Sequence, residues 1–252
     1  MSCAVFTIFW KEFRGFVTSP LAYIFLILFL LWLGVNYFFG NIAAGGSFTG
    51  IQVKEASLES LFQALPSAFV IIVPALAMRL WPDEIKLGTL ELLMTYPVRS
   101  WEVVLGKFLA GLALIGVALA LTLVTPLTVD SYARTANGLD WGPVWGSYAA
   151  SLLLGRAFLA VGLFAGALCR EQVTAFIVAL FTCGMLVLLG TSAFLIQSAD
   201  WFADIARQVS FTVRFESMAR GVLDVRDLVY FASFTALFLF LNVVTLEARK
   251  AS

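Results

Sequence analysis

The sequence contains no histidine, and its three cysteines, Cys3, Cys169 and Cys183, stand far apart in the chain. Histidine is the commonest general base and the commonest metal ligand at neutral pH, so its absence argues against both roles. No two cysteines have C-x-x-C spacing and their number is odd. The pattern therefore predicts neither a disulfide framework nor a zinc site.

Charged residues are also scarce, at 13% of 252 residues. Sixteen Lys and Arg residues balance sixteen Asp and Glu residues, and no block of basic residues occurs. Proteins that bind nucleic acid through phosphate contacts carry such blocks. We therefore predict no nucleic-acid partner.

Motifs that would support catalysis within this chain are missing as well. No G-x-x-x-x-G-K run followed by Ser or Thr is present, and neither H-E-x-x-H nor G-x-S-x-G occurs. The glycine-rich run of residues 45–50 lacks the lysine that phosphate binding requires and is interpreted as a flexible loop. The sequence therefore predicts a chain that is not an enzyme and has no metal or cofactor of its own.

What the sequence has in excess is apolar residues, which make up 61% of the chain. About 20 consecutive apolar residues are needed for a helix to cross roughly 30 Å of hydrocarbon. Pro66, Pro74 and Pro126 lie inside such stretches and predict kinks. We predict one all-α integral membrane domain, residues 1–252, with six transmembrane helices. The predicted spans are residues 20–40, 61–81, 108–129, 146–168, 172–196 and 228–246.

The distribution of Lys and Arg predicts the orientation of these spans. With both termini in the cytoplasm, nine basic residues lie inside and six outside, with Arg156 in the membrane. Positive charge favours the cytoplasmic side, so we expect cytoplasmic N- and C-termini. The leader, residues 1–19, mixes aromatic and charged residues between Phe9 and Phe16, which predicts an interfacial elbow helix.

The loop of residues 81–99 is too charged to cross the membrane, yet it has a helical pattern. Asp83 and Thr89 are expected to cap successive turns, and Pro97 is expected to end the run. Its apolar residues fall on one helical face, namely Leu87, Leu90, Leu93 and Met94. This face either packs against the protein's own spans or docks into a groove on another protein, and the pattern alone favours neither.

A family resemblance rests on this loop. The chain has Glu84-x-x-x-Gly88-Thr89-Leu90-Glu91-x-Leu93-x-x-x-Pro97-Val98, followed by Gly106-Lys107. Two softer matches are Leu168-Cys169-Arg170-Glu171-Gln172 and Phe215-Glu216-x-x-x-Arg220-Gly221-Val222. Together they resemble permease subunits of the ABC-2 type, especially the branch found in gliding-motility and nitrous-oxide-reductase-maturation operons.

The resemblance implies a permease of an ATP-binding-cassette exporter in the bacterial inner membrane. In that family a cytoplasmic coupling helix in this loop sits in a groove of a separate ATPase, which binds ATP and Mg²⁺. The implied partners are an ABC ATPase dimer, a second permease copy in a homodimer or close heterodimer, and an auxiliary membrane or periplasmic subunit. The implied coupling residues are Glu84, Gly88, Thr89, Leu90, Glu91, Leu92 and Leu93.

Residues 197–227, before the last predicted span, are too polar to cross the membrane and too apolar for an ordinary loop. The pattern is consistent with a folded loop at the interface. The family resemblance instead implies short outer helices that dip back into the membrane and shape the exit, and it assigns Phe215, Glu216 and Arg220 to this region.

Arg156 is the only charge deep within a predicted span, and no acid lies in any of the six spans to pair with it. Gln63 and Asn242 are candidate partners, as are backbone carbonyls, hydroxyls, water and a substrate anion. A charge at this depth is either a structural interhelical contact or part of a pathway that meets an anionic group. Both interpretations remain open at the level of sequence.

Two other functional classes compete with the exporter. A secondary carrier would be expected to show intramembrane acids or paired discontinuous helices, and the sequence has neither. An ATP-driven mechanical or scaffold component of a motility or maturation complex would share the same loop, so the sequence does not separate it from an exporter.

Overall fold

The computed structural model describes residues 2–39, 58–88, 99–133, 139–189, 210–219 and 224–251. All regular structure within these residues is helical. In chain order the helices are α1 (Ser2–Thr18), α2 (Pro20–Phe39), α3 (Glu59–Gln63), α4 (Leu65–Ala77), α5 (Pro82–Lys86), α6 (Ser100–Thr122), α7 (Val124–Ala133), α8 (Trp141–Leu168), α9 (Gln172–Leu188), α10 (Phe211–Ala219) and α11 (Val225–Ala251).

Within the described residues, five helical stretches are long and apolar enough to cross a membrane. They match the first, second, third, fourth and sixth predicted spans. The stretches are Pro20–Tyr37, Leu61–Lys86, Ser100–Ser131, Trp141–Leu168 and Val225–Arg249. The predicted fifth span corresponds to α9, an apolar helix of 17 residues. Because that length is at the lower limit for a crossing helix, the count of six stays a prediction.

Two spans are interrupted close to their prolines. The helix break between α3 and α4 falls at Ala64, just before Pro66, and Pro74 lies inside α4. The break between α6 and α7 falls at Leu123, three residues before Pro126. Proline removes a backbone N–H and crowds the preceding turn, which accounts for both interruptions.

The α8 helix lies at the centre of the bundle and contacts α4, α6, α9, α10 and α11. Small residues allow these close approaches: a Cβ added at Gly162 would lie 2.5 Å from Ala77 Cβ, and one at Gly155 would lie 3.0 Å from Ile115 Cγ2. Helices in lipid associate through close van der Waals packing of this kind, because lipid supplies no hydrophobic drive. Seventy-eight per cent of the α8 span is buried, against 22% for α2 and 17% for α11.

The bundle has two distinct ends. We call the end that carries α1 and α5 the α1 end; the C-terminus of α8 also lies there, and Arg249 near the end of α11 donates to the Leu168 carbonyl at 3.0 Å. We call the opposite end the far end, where Thr122 and Tyr148 hydroxyls lie 3.1 Å apart. The N-terminal helix and the end of the last helix therefore share one end of the bundle.

Candidate functional site

Lys107 lies seven residues after the start of α6, and its side chain is only 1% exposed. Its Nζ lies 3.1 Å from Glu12 Oε1, 3.0 Å from Glu84 Oε1 and 2.7 Å from the Leu80 carbonyl oxygen. An ammonium has three N–H donors and no acceptor, so these three oxygens satisfy it completely. The Trp81 ring adds a cation–π contact, with Nζ 4.9 Å from the ring centroid.

A second lysine completes this group. Lys11 Nζ lies 3.4 Å from Glu12 Oε1 and 3.3 Å from Glu84 Oε1, and its side chain is 65% exposed. Partial burial opposes the charge of Lys11, but the carboxylates of Glu12 and Glu84 outweigh it and raise the pKa of the Lys11 ammonium above its ordinary value. We call Lys11, Glu12, Glu84 and Lys107 the charge cluster; its two positive and two negative charges balance.

The charge cluster depends on a close approach between α1 and α6. A Cβ added at Gly106 would lie 2.7 Å from Ile8 Cγ2 and 3.3 Å from the Val5 carbonyl oxygen. Only glycine fits at such a crossing without displacing the neighbouring helix. Gly106 therefore lets α1 lie close enough for Glu12 to reach Lys107 on the next residue of α6.

The α5 helix is held on its other sides as well. Pro82 and Trp81 are buried against α8, where a Cβ added at Gly166 would lie 3.5 Å from Pro82 Cδ. The prediction that Asp83 caps this turn is wrong: Trp81 occupies the N-cap without a side-chain bond, and the Asp83 carboxylate accepts from Gln172 at the start of α9. Asp83 and Lys86 thus face the start of α9 at Gln172 and Glu171, while Glu84 faces Lys107 of α6 and Lys11 of α1.

Of the predicted coupling residues, the structure describes Glu84 and Gly88, and it also describes Leu87, the first residue of the predicted apolar face. Glu84 belongs to the charge cluster. Leu87 is 75% exposed, and Gly88 has φ +68°, in the left-handed region that favours glycine. The remaining predicted coupling residues lie outside the described residues: Thr89, Leu90, Glu91, Leu92 and Leu93.

The sequence did not predict the ion pair between Glu12 and Lys107. Both residues stood in recognised segments, Glu12 in the leader and Lys107 in the Gly106-Lys107 step of the motif. Their partnership joins positions 95 residues apart in the chain. The available signal was a lysine immediately before an uncharged apolar span, which requires a counter-charge if it is buried.

Arg156 is half-buried, 15 residues from the start of α8 and 12 from its end, and therefore near the middle of the span. Its Nε and Nη2 are buried and find no hydrogen-bond partner within the described residues. Inserting a cation at the centre of a spanning helix costs about 2.5–3.5 kcal/mol of free energy on insertion scales. A guanidinium at this depth with nitrogen atoms that lack hydrogen-bond partners among the described residues therefore requires an explanation.

Asn242, one of the candidate partners of Arg156, does not fit the helix register. Phe164 on α8 contacts Phe238 on α11, with ring centroids 5.7 Å apart, and the two helices run parallel. From this pair Arg156 is eight residues toward the far end and Asn242 is four toward the α1 end, a separation of about 18 Å along the axes. Asn242 is fully buried, and its amide atoms also lack partners among the described residues.

Helix α10 packs along α8 toward the far end. The Phe211 ring lies 5.5 Å from Phe158, and the Ser147 hydroxyl donates to the Ala219 carbonyl at 3.0 Å, so α10 runs antiparallel to α8. Phe215 is 2% exposed and Glu216 is exposed. Arg220, the third residue predicted for this region, lies outside the described residues.

The first turn of α11 is tied to α10 by charge. Arg214 Nη1 donates to Asp227 Oδ1 at 2.8 Å, and its guanidinium carbon lies 4.2 Å from the Tyr230 ring centroid. Helix α10 lies beside the part of α8 that runs between Ser147 and Phe158. The contact with Asp227 therefore holds α10 alongside the spanning helices rather than beyond their ends.

Comparison with known proteins identifies relatives of this architecture. The family model of the ABC-2 family transporter protein matches residues 6–246. A probable ABC transporter permease protein NosY from Pseudomonas aeruginosa is 35% identical over 168 residues, which cover 62% of this chain and 57% of that protein. A protein of the same description from Stutzerimonas stutzeri is 30% identical over 141 residues, covering 51% of this chain and 50% of that protein. The similarity therefore spans only about half the length of these curated relatives.

Proposed function

Because the chain belongs to the ABC-2 family of transporter proteins, we propose that it is the membrane subunit of an exporter driven by a separate ATPase. ATP and Mg²⁺ are bound and ATP is hydrolysed in that partner, while this chain supplies the pathway. The names of the two NosY relatives, which describe probable ABC transporter permeases, support the assignment.

The charge cluster is the observation that carries this proposal. Glu84 on α5, Glu12 on α1 and Lys107 at the base of a spanning helix meet at one buried ammonium. Separating a buried pair costs about 3–5 kcal/mol, so these three elements move together rather than apart. A displacement of α5 by an ATPase is thereby passed to α6 and to α1.

The residues after α5 supply the proposed contact with the ATPase. Gly88 turns the chain out of α5 through its left-handed backbone, and Leu87 beside it is exposed. We assign docking to the coupling helix predicted in this loop, which is expected to begin at Thr89 and to end at Pro97, with Leu90 and Leu93 on its apolar face. Such a helix in a groove is a common mode of protein recognition.

The proposed orientation places the α1 end in the cytoplasm of a bacterial inner membrane. It follows from the nine-to-six excess of Lys and Arg on that side. The common location of α1 and the end of α11 supports termini on the same side. The aromatic ladder of Phe6, Phe9 and Phe13 along α1, with ring centroids about 6 Å apart, supports an interfacial elbow.

The proposed assembly pairs two permease copies with two ATPase subunits, with room for an auxiliary membrane or periplasmic subunit. Apolar side chains stand outward on α2, α9 and α11, for example Ile27 at 61%, Phe181 at 71% and Phe240 at 64% exposure. Lipid and a second copy are the neighbours that such surfaces accept. Helix α10, with Phe215 and Glu216, and Arg220, the next residue of the chain after it, would form the outer re-entrant region.

The test is co-expression with a candidate ABC ATPase subunit, followed by ATP hydrolysis by the purified complex in lipid. Leu90→Asp is expected to release the ATPase, because a carboxylate on the apolar face opposes docking. Glu84→Gln is expected to leave the complex assembled but to lower its stimulated ATP hydrolysis by about tenfold, equivalent to ~1.4 kcal/mol. Lys86→Gln is the matched control, because its pair with Glu171 is long, at 3.8 Å, and both side chains are 66% exposed.

Two results would contradict the proposal. Retention of the ATPase by the Leu90→Asp chain would remove the loop from the interface. Equal hydrolysis rates in Glu84→Gln and Lys86→Gln complexes would show that the charge cluster carries no coupling.

A further inference from the structure

A small cavity lies between α2, α4 and α6. Its volume is about 30 Å³, and every side chain that lines it is apolar. The lining residues on α6 are buried, whereas Phe25 and Leu26 on α2 and Ile72 on α4 are half-buried. The cavity, which we call the α2–α4 cavity, is therefore closed on the side of α6 and partly open where α2 and α4 meet. An apolar cavity of this kind stays dry and accepts apolar guests.

A polar contact lies at the α1 end of the α2–α4 cavity. Within the helical stretch Leu61–Lys86, the positions of Ile72, Leu76 and Arg79 recur every three or four residues and share one side of the helix. Arg79 Nη1 donates to Oγ of Ser19, the residue that immediately precedes α2, at 3.1 Å. This bond holds the guanidinium at the junction of the two helices that open onto the cavity.

The depth of Arg79 corresponds to the head groups of a bilayer. Arg79 lies between the apolar α4 and the charged α5, and its partner Ser19 lies between α1 and the first span. At 1.5 Å per residue, Ile72 and Phe69 lie about 10 Å and about 15 Å further along the helix axis. Because one leaflet contributes roughly 15 Å of hydrocarbon, the cavity lies among the acyl chains of the leaflet at the α1 end.

The charge of Arg79 is not balanced within the part of the chain that the structure describes. Arg79 is half-buried, and Ser19 is its hydrogen-bond partner there; no described carboxylate pairs with it. A guanidinium has five donors in a planar fork that matches the oxygens of a phosphate. Most of these donors therefore remain available to an anion that approaches along the membrane surface.

We propose that an anionic phospholipid of the leaflet at the α1 end binds here, with its phosphate on Arg79 and a segment of one acyl chain in the α2–α4 cavity. Its head group then lies at the interface and its chains point toward the bilayer centre, as in the surrounding lipid. The guanidinium selects a negative head group, and the apolar cavity selects a lipid over a free anion. This site is independent of coupling to an ATPase, because Arg79 and the cavity lie outside the charge cluster.

The test is native mass spectrometry of the purified full chain, titrated with dioleoyl phosphatidylglycerol and, separately, dioleoyl phosphatidylcholine. The wild-type chain is expected to hold the anionic lipid about tenfold more tightly. Arg79→Gln is expected to abolish this preference while keeping a donor for Ser19. Arg170→Gln, which removes an exposed arginine between α8 and α9, is the matched control and is expected to keep the preference.

Ala118→Leu tests the cavity separately and also serves if Arg79→Gln does not fold. Ala118 lines the cavity from α6, so a leucine there fills space that the acyl chain would use and leaves Arg79 in place. Binding of phosphatidylglycerol is expected to weaken about tenfold, which corresponds to about two buried methylenes. Ala120→Leu, at an exposed position of the same helix, is the control and should bind as the wild type does.

Three results would overturn the site: equal binding of the two lipids by the wild-type chain, an unchanged preference in Arg79→Gln, or unchanged binding in Ala118→Leu. Displacement of phosphatidylglycerol by millimolar inorganic phosphate would show a site for free anions and would overturn the lipid assignment.

Discussion

Lys107 is a lysine whose side chain is only 1% exposed and whose charge is balanced by neighbouring carboxylates. Replacing it by methionine keeps the approximate shape of the side chain but removes the buried cation from Glu12 and Glu84, which then share only the exposed Lys11. Loss of one partner from a buried ionic group costs about 3–5 kcal/mol. We expect Lys107→Met to lower the free energy of unfolding by that amount, measured by denaturant titration in mixed micelles.

Lys86→Met is the control for this change, because the Lys86–Glu171 pair is exposed and 3.8 Å long. Exposed pairs contribute about 0–1 kcal/mol, so this variant should unfold almost as the wild type does. Adding Glu84→Gln to Lys107→Met should recover part of the loss by removing one uncompensated charge. A Lys107→Met chain no less stable than Lys86→Met would show that the charge cluster does not support the fold.

At the scale of elements, the close contact between α1 and α6 depends on the absence of a Cβ atom at Gly106. Gly106→Ala would place a Cβ 2.7 Å from Ile8 Cγ2, and the β-branched Ile8 has little freedom to move away. We expect a loss of about 1–3 kcal/mol in unfolding free energy, as for other overpacked contacts. Loss of the α1 contact should also expose Lys107 to amine-reactive reagents, detected by peptide mapping.

Gly116→Ala is the matched control on the same helix, because nothing lies within 4 Å of the Cβ it would add. Alanine favours a helix over glycine by about 0.8–1.0 kcal/mol in water, so this variant should be neutral or slightly more stable. Ile8→Ala in the Gly106→Ala background should restore part of the stability. Equal behaviour of Gly106→Ala and Gly116→Ala would argue against the close crossing of α1 and α6.

The sequence predicts elements where their signal is local. An uncharged apolar run of sufficient length is a property of the segment itself, so five of the six predicted spans match helices of spanning length and character. The third and fourth predicted spans begin at residues 108 and 146, whereas the helices themselves begin at Ser100 and Trp141. The helix continues there into more polar residues outside the apolar run. The pairing of Glu12 with Lys107 was not predictable, because it depends on how α1 crosses α6 in three dimensions.

At the scale of the whole molecule, the two ends of the bundle are predicted to face different compartments. Leu87 at the α1 end and Ser131 at the end of α7 are both exposed, and each can be replaced by cysteine in a chain lacking its three native cysteines. We expect a membrane-impermeant maleimide to label Ser131→Cys in intact spheroplasts. Leu87→Cys should react only after the membrane is permeabilised.

Labelling of Leu87→Cys in intact spheroplasts, with Ser131→Cys protected, would invert the proposed topology and remove α5 from the reach of a cytoplasmic ATPase. Labelling of both positions in intact spheroplasts would mean that the number of crossings between them is even.

The central place of α8 also has a consequence for biosynthesis. The ribosome releases α4 and α6 into the membrane before the helix that they pack against exists, so the surfaces around Ala77 and Gly111 first meet lipid. When α8 arrives, it carries Arg156 into a bilayer that holds only α4 and α6 of the five helices that it contacts in the finished bundle. Assembly of this protein therefore depends on α8, the fourth predicted span. The helices that follow α8 complete a bundle that the first three predicted spans cannot form alone.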